Sequence, residues 1–356
     1  IKYDFKYTIY KVFASWGNEK DSLELQVFSK GSMQKYLYRI AAYASKAVPV
    51  HLYLPASFSR LSRLVVVMHG IDRNAQSYGL SWTAYAAANN TIVIAPEFSS
   101  KEWTRDAYSQ GNMFTGSDGK GTLNSKEKWT FTIVRDIERT IARGFRLNDS
   151  AYTFWGHSAG AQFVHRSVLF AYDSLATTAI AANSGWYTAP DSTTVFPWGV
   201  KHQFLSLKQQ DLIQYTARNL VLMRGAADTL RDSDLNVDPL SDLQGKNRYQ
   251  RAGFFFQKGK ELNASLRWLL VDIPGVGHDF RKMATAAGDF LMKGPTNVQR
   301  EENALPRNML FQNYPNPFNP TTTVRFSVPA TSRTTVVIYS MLGERIRTLA
   351  DEILSP

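Results

Sequence analysis

Ser158 lies between Gly156 and Gly160 in the stretch "AYTFWGHSAGAQF" (151–163). An aromatic and β-branched run stops at the first glycine, and a helical pattern starts after the serine. A plain turn needs one glycine. Two of them, at i−2 and i+2 of a serine, predict a cramped strand-to-helix turn in which neighbouring backbone passes close by and the hydroxyl is exposed. The helix behind it would direct its first N–H groups and positive dipole end at the same point. A serine hydroxyl is a weak nucleophile and needs a base, which in turn needs an orienting carboxylate. "NLVLMRGAADTL" places Asp228 three residues after Gly225, just past an apolar run. "WLLVDIPGVGHDF" places His278 in a Gly-rich turn ahead of a helix. Order and context predict a Ser158–His278–Asp228 triad suited to acyl transfer. The developing oxyanion also needs donors. The Ala159 N–H follows from the turn itself, and the Ile71 N–H follows from position in the loop after "VVVMHG".

Other residues compete for these roles. Asp232, Asp234, Asp238 and Asp242 lie near Asp228, which has the best position after a strand. The first three have a loosely calcium-like spacing without the rest of such a loop, and read as a solvated acidic turn. No metal or cofactor site is expected. His157 is expected to support the turn, His165 to pack or hydrogen-bond two turns along the helix, and His69 to lie beneath the oxyanion loop. His51 and His202 belong to no motif.

The elements that must hold these residues alternate. "RLVVVMHG", "TIVIAPEF", "AYTFW", "TTAIAAN", "NLVLMRG" and "RWLLVDIP" read as short buried strands. Trp129, Ile133, Ile137 and Ile141 form one helical stripe with Gly144 as its expected C-cap. Helical patterns follow Ser158 and fill "GKNRYQRAGFFFQKGKEL" and "DFRKMATAAGDFLMK". This alternation predicts an α/β fold, a mostly parallel central sheet flanked by helices, with ligands at the carboxyl ends of the strands. Ahead of it, Tyr3-Phe5-Tyr7-Ile9 and Leu23-Leu25-Val27 read as half-buried strands, with further strands around "YRIAAYA" and "VPVHLYLP". After Lys293 the composition turns polar, and then short alternating strands follow. The expected division is a β segment at 1–34, a catalytic domain at 35–293, a linker at 294–310 and a small all-β module at 311–356.

The 356 residues are 44% hydrophobic, enough for a sizeable core. No apolar run reaches the roughly 20 residues of a membrane span. Zero cysteines exclude disulfides and thiolate chemistry. The charge of +11 comes from scattered Lys and Arg, which read as a solvated basic surface or, alternatively, as attraction to acidic polymers or an anionic cell surface, with no nucleic-acid motif. The chain starts at Ile1 without a leader pattern, as a trimmed or fragmentary product would.

"HGIDRNA", "GHSAG", "GAADT" and "GHDF" together resemble the α/β-hydrolases of the bacterial carboxylesterase and polyester-depolymerase-like group, over about Arg39 to Lys293. The resemblance implies the α/β-hydrolase fold and serine-hydrolase chemistry through an acyl-enzyme. Similarly placed aromatics in polyester-cleaving relatives clamp acyl groups, which makes Trp186 and Tyr187 in "NSGWYTAPD" candidate substrate-binding residues. The stretch from Glu97 to Lys128, with Trp103, Tyr108 and Asn112, is expected to help shape the pocket. "NYPNPFNPTTTVRFSVP" and "VVIYSMLGERIRTL" resemble a type IX secretion C-terminal sorting domain, shortened here because such domains continue through further strands. That resemblance implies export by the type IX machinery, to the medium or the surface of a Gram-negative cell. The expected function is secreted hydrolysis of carboxylic esters, including polyesters and bulky or aromatic esters. Two alternatives are a serine peptidase or amidase and a non-catalytic surface-binding protein, whose mark would be a damaged triad.

Overall fold

The computed structural model describes residues 8–16, 19–294, 309–310, 321–324, 326–328, 331–340 and 344–354. The expected strand residues Tyr3, Phe5 and Tyr7, the linker from 295 to 308, and the prolines Pro315, Pro317 and Pro320 lie outside them. The chain divides into two compact units, Ile1–Val298 and Gln299–Pro356.

In the first unit, β1 (Thr8–Trp16) and β2 (Glu19–Val27) form an antiparallel hairpin. The main sheet begins with β3 (Met33–Arg39), β4 (Ala47–Tyr53) and β5 (Arg63–Met68). Helices α1 (Ala75–Leu80) and α2 (Thr83–Ala88) lead to β6 (Thr91–Pro96), followed by α3 (Arg105–Ser109) and α4 (Thr130–Gly144). Next come β7 (Tyr152–His157), α5 (Ala159–Phe170), β8 (Ala176–Ala182), α6 (Gln209–Thr216) and β9 (Leu220–Gly225). The unit ends with α7 (Pro239–Leu243), α8 (Arg248–Leu262), β10 (Leu269–Ile273) and α9 (Phe280–Lys293). The eight strands run in the order β10-β9-β8-β7-β5-β6-β4-β3. The six from β10 to β6 are parallel, and β4 and β3 add antiparallel at one edge. The expected α/β-hydrolase architecture is present.

Continuous apolar strands are needed because both faces are covered. Val66, Met68, Phe154 and Leu222 join one core with Ile137 of α4, Phe163 of α5 and Phe255 of α8. Val65, Val67, Trp155 and Met223 join the opposite core with Tyr78 of α1 and Met283 and Ala287 of α9. Two local expectations change. The strand expected in "YRIAAYA" lies earlier, at Met33–Arg39, and residues 40–46 turn toward β4. The helix expected to stop with Gly144 as its cap includes that glycine, is capped by Phe145, and leaves the helical region at Arg146 (φ 50).

The second unit holds β11 (Met309–Leu310) paired with β12 (Phe326–Ser327), and β13 (Ser332–Tyr339) paired with β14 (Arg345–Leu354), both antiparallel. Among the described residues no helix is long and apolar enough to cross a membrane.

Glu138 is the costly feature of the core. It lies fully buried on α4, and neither carboxylate oxygen has a hydrogen-bond partner among the described residues. Burial, then the nearby Asp173 charge, push its pKa from 4.5 up to about 7. The folded chain therefore keeps a proton between those values that the unfolded chain has released. Stability from this group falls as pH rises through that window. Glu138→Gln is expected to raise stability at pH 8 by about 2–3 kcal/mol and to change little at pH 4.5. Thermal unfolding at both pH values checks this, and an equal effect at both would refute it.

Candidate active site

β7 ends at His157, and the chain reverses into α5 through Ser158 at φ 58 and ψ −118. A serine in that region carries strain on the order of 1–3 kcal/mol, which the packing around it must hold. The glycines explain how. A Cβ on Gly156 would stand 2.2 Å from the Gly160 carbonyl oxygen, and one on Gly160 would stand 2.2 Å from the Met68 carbonyl oxygen at the end of β5. Both glycines are therefore needed for close backbone passage. The Ser158 N–H donates to the Ala182 carbonyl at 3.0 Å, tying the turn to β8. Its side chain does not cap α5 and forms no hydrogen bond among the described residues.

The loop after β5 passes beside this turn. A Cβ on Gly70 would lie 3.9 Å from the Ser158 Cβ. Ile71 follows in that loop, while Ala159 opens α5, where the first N–H groups have no partner inside the helix.

Asp228 lies three residues beyond β9, only 2% exposed. Its backbone N–H donates to Gly225, and its carbonyl accepts from the Tyr249 N–H. The His278 Nδ1–H donates to Asp228 Oδ2 at 2.7 Å, leaving Nε2 as the free basic nitrogen. The His278 ring stands 4.5 Å from that of His157, the residue before Ser158. The structure thus joins Asp228 to His278 and sets that pair beside the serine turn.

No protein-family model and no curated protein sequence matches the chain. Among solved structures it is similar to poly(aspartic acid) hydrolase-1 from Sphingomonas sp. KT-1, at 31% identity and TM-score 0.69, over 74% of this chain and 100% of that one. The chain belongs to the carboxylesterase- and depolymerase-like α/β-hydrolases. The hydrolase is also similar to LpqC, a poly(3-hydroxybutyrate) depolymerase from Bordetella parapertussis, at 27% identity and TM-score 0.69, over 74% of this chain and 91% of that one.

Three of the remaining histidines of the hydrolase, His157, His69 and His165, are buried, neutral supports. Tyr78 Oη and His157 Nδ1 are 3.1 Å apart, and burial, then the neighbouring His278, hold the His157 pKa well below 6.5. His69 donates from Nδ1 to the Gly70 carbonyl and accepts at Nε2 from the Phe98 N–H, and burial lowers its pKa to about 3. It stacks on Tyr108 at 4.3 Å beneath the loop that carries Ile71. His165 bonds the Ala161 carbonyl through Nδ1 and accepts from the Thr188 N–H. His51 pairs with Glu97 at 2.7 Å, and His202 with the Gly119 carbonyl at 2.8 Å.

The aromatic candidates separate. Tyr187 does not line a cleft. It is fully buried, stacked on Phe255 at 4.5 Å, with its backbone N–H and C=O both bonded by the Gln244 side chain. Trp103 and Tyr108 are likewise core residues, packed on Phe98 and, for Tyr108, on Phe163 of α5. Asn112 is spent on the Tyr43 hydroxyl and the Lys128 carbonyl. Trp186 keeps 6% of its surface exposed and packs between Trp198 and the Arg166 guanidinium, 4.2 Å from its ring.

Arg166 escaped the sequence reading. It is fully buried on α5, eight residues past Ser158, and bonds Thr188, Ser109 and Gln162. Burial pushes its pKa down to about 9. Its signal was available only as an i+8 position on the helix face that starts at Ser158. The acidic run also resolves into partnerships. Asp232 pairs with Arg248, Asp238 caps α7, and Asp242 binds Arg231, Lys246 and Arg251.

Proposed function

We propose that the hydrolase is a secreted serine esterase working through Ser158, His278 and Asp228. Ser158 Oγ attacks the ester carbonyl carbon as His278 Nε2 takes the hydroxyl proton. Asp228 stabilises the imidazolium, and the Ala159 and Ile71 N–H groups receive the oxyanion. The alcohol leaves with the proton from His278. Water then attacks the acyl-enzyme, gives a proton to His278, and releases the acid as Ser158 Oγ is reprotonated. The observation that carries this reading is a serine held at φ 58 directly after His157, whose ring stands 4.5 Å from a histidine bonded to a buried aspartate. A non-catalytic scaffold would have no use for that strain.

Polyesters and bulky or aromatic esters are the proposed substrate class, with the exposed edge of Trp186 on the acyl side. The similarity to a poly(3-hydroxybutyrate) depolymerase supports polymeric esters. Amide hydrolysis is the second reading, favoured by the similarity to an enzyme named for poly(aspartic acid), whose units are joined by amides. Labelling with a fluorophosphonate, mapped by mass spectrometry, is expected to mark Ser158. A matched panel of ester and amide substrates is expected to give turnover chiefly on esters. Labelling elsewhere would refute the nucleophile, and preference for amides would install the second reading.

Residues 311–356 are proposed as a type IX sorting module, joined by the 294–310 linker to the catalytic domain at 35–293. Support comes from the motifs in the tail and from the separate compact unit at Gln299–Pro356. Its role would be delivery to the medium or cell surface, so a chain ending at Lys293 is expected to keep its kcat/KM on a soluble ester. A fall beyond about tenfold, roughly 1.4 kcal/mol of transition-state stabilisation, would show that the tail braces the site.

A further inference from the structure

We infer that Arg248 and Asp232 form an ion pair behind the Asp228–His278 pair that positions the acid and sets the acidic limit of activity. The inference rests on the proposed triad. Asp228 presents one oxygen to His278, while its other oxygen, Oδ1, faces Arg248 Nη1 at 3.5 Å. That separation is too long for a strong charge-assisted bond. The reason is that the two carboxylates share Nη1. Asp232 takes Arg248 in a two-toothed grip, at 2.6 and 2.8 Å, and so draws it away from Asp228. Arg248 is 1% exposed, so its charge acts through little water.

The placement is built rather than incidental. Arg248 is the first residue of α8, whose N-cap Asn247 accepts from the Gln250 N–H. The next residue, Tyr249, donates its N–H to the Asp228 carbonyl. One helix end thus holds both the backbone and the charge environment of the acid. The Arg248 bond keeps the Asp232 carboxyl below its ordinary range, so Asp232 is an anion wherever the enzyme works.

The groups around His278 come from several elements. Asp228 and Asp232 lie on the loop after β9, Arg248 on α8, and His157, held neutral, at the end of β7. Asp279 and Arg281 follow His278 in sequence, while Tyr78 of α1 stacks on Phe280, with Asp72 nearby. Within the triad's own cluster the charges of Asp228, Asp232 and Arg248 sum to −1 when His278 is neutral. Deleting the Asp232 charge frees Arg248 to close on Asp228 and compete for the charge that stabilises the imidazolium. Deleting the Arg248 charge leaves two carboxylates facing the imidazole and favours its protonation. The two changes therefore act in opposite directions.

The test is the pH dependence of kcat/KM on a soluble ester. Asp232→Asn, nearly isosteric and about one-third exposed, is expected to move the acid-limb midpoint down by about half a unit. Arg248→Met is expected to move it up by about one unit and lower the plateau kcat about tenfold. The double variant is expected to return close to the wild-type midpoint. Arg248→Lys keeps the charge without the fork, so it should lower kcat with a smaller shift. If Arg248→Met does not fold, Asp232→Asn decides alone. A midpoint unchanged within 0.1 unit in Asp232→Asn overturns the inference, as do shifts of the same sign in both single variants. Failure of the triad reading is distinct, since Ser158→Ala or His278→Ala would then retain turnover.

Discussion

Ser158→Ala is expected to lower kcat/KM on a soluble ester by on the order of 10⁴- to 10⁶-fold and to abolish fluorophosphonate labelling. The melting temperature should barely move. The substitution removes one oxygen that neither caps α5 nor bonds another described residue. Alanine meets the same backbone strain at φ 58 as serine does, so the turn keeps its shape and its cost. A large kinetic loss without a stability loss separates a nucleophile from a packing residue. Turnover within tenfold of wild type would remove the central proposal.

Asp228→Asn is expected to cost about 10³- to 10⁴-fold in kcat. Asp228 Oδ2 accepts the Nδ1–H of His278 at 2.7 Å, which leaves Nε2 free of a proton and faces the imidazolium with a negative charge. An asparagine can turn its NH₂ toward Nδ1, select the other tautomer and supply no charge. Asp232 is an unsuitable substitute because both its oxygens are held by Arg248. The variant should still label with fluorophosphonate, but slowly. Its rate on a soluble ester checks the expectation, and a rate within threefold of wild type would mean that another carboxylate serves His278. Across pH, wild-type activity should rise as His278 loses its proton, since only the neutral ring can accept from Ser158.

The sequence by itself determined the architecture and singled out the serine turn. Apolar runs such as "RLVVVMHG" and "NLVLMRG" can be satisfied only by strands covered on both faces, and such strands alternating with helical patterns leave little choice but a mostly parallel sheet. Gly156 and Gly160 were legible around Ser158 because the need for absent side chains is written in residue type. Which side chains meet across the fold was not legible. Asp228 rather than Asp232 reaches His278, and Arg248 stands between the two carboxylates, because α8 packs its first turn against the loop after β9. Periodicity says that Tyr187 is aromatic and near a strand end, but its stack on Phe255 of α8 decides that it faces the core. The burial of Trp103 and Tyr108 has the same kind of origin: it depends on Phe98 and on Phe163 of α5 packing against them. Local patterns report how a segment meets its own two faces. Partners remote in the chain, a buried carboxylate with no hydrogen bond among the described residues such as Glu138, and the guanidinium under Trp186 exist only once the layers have closed.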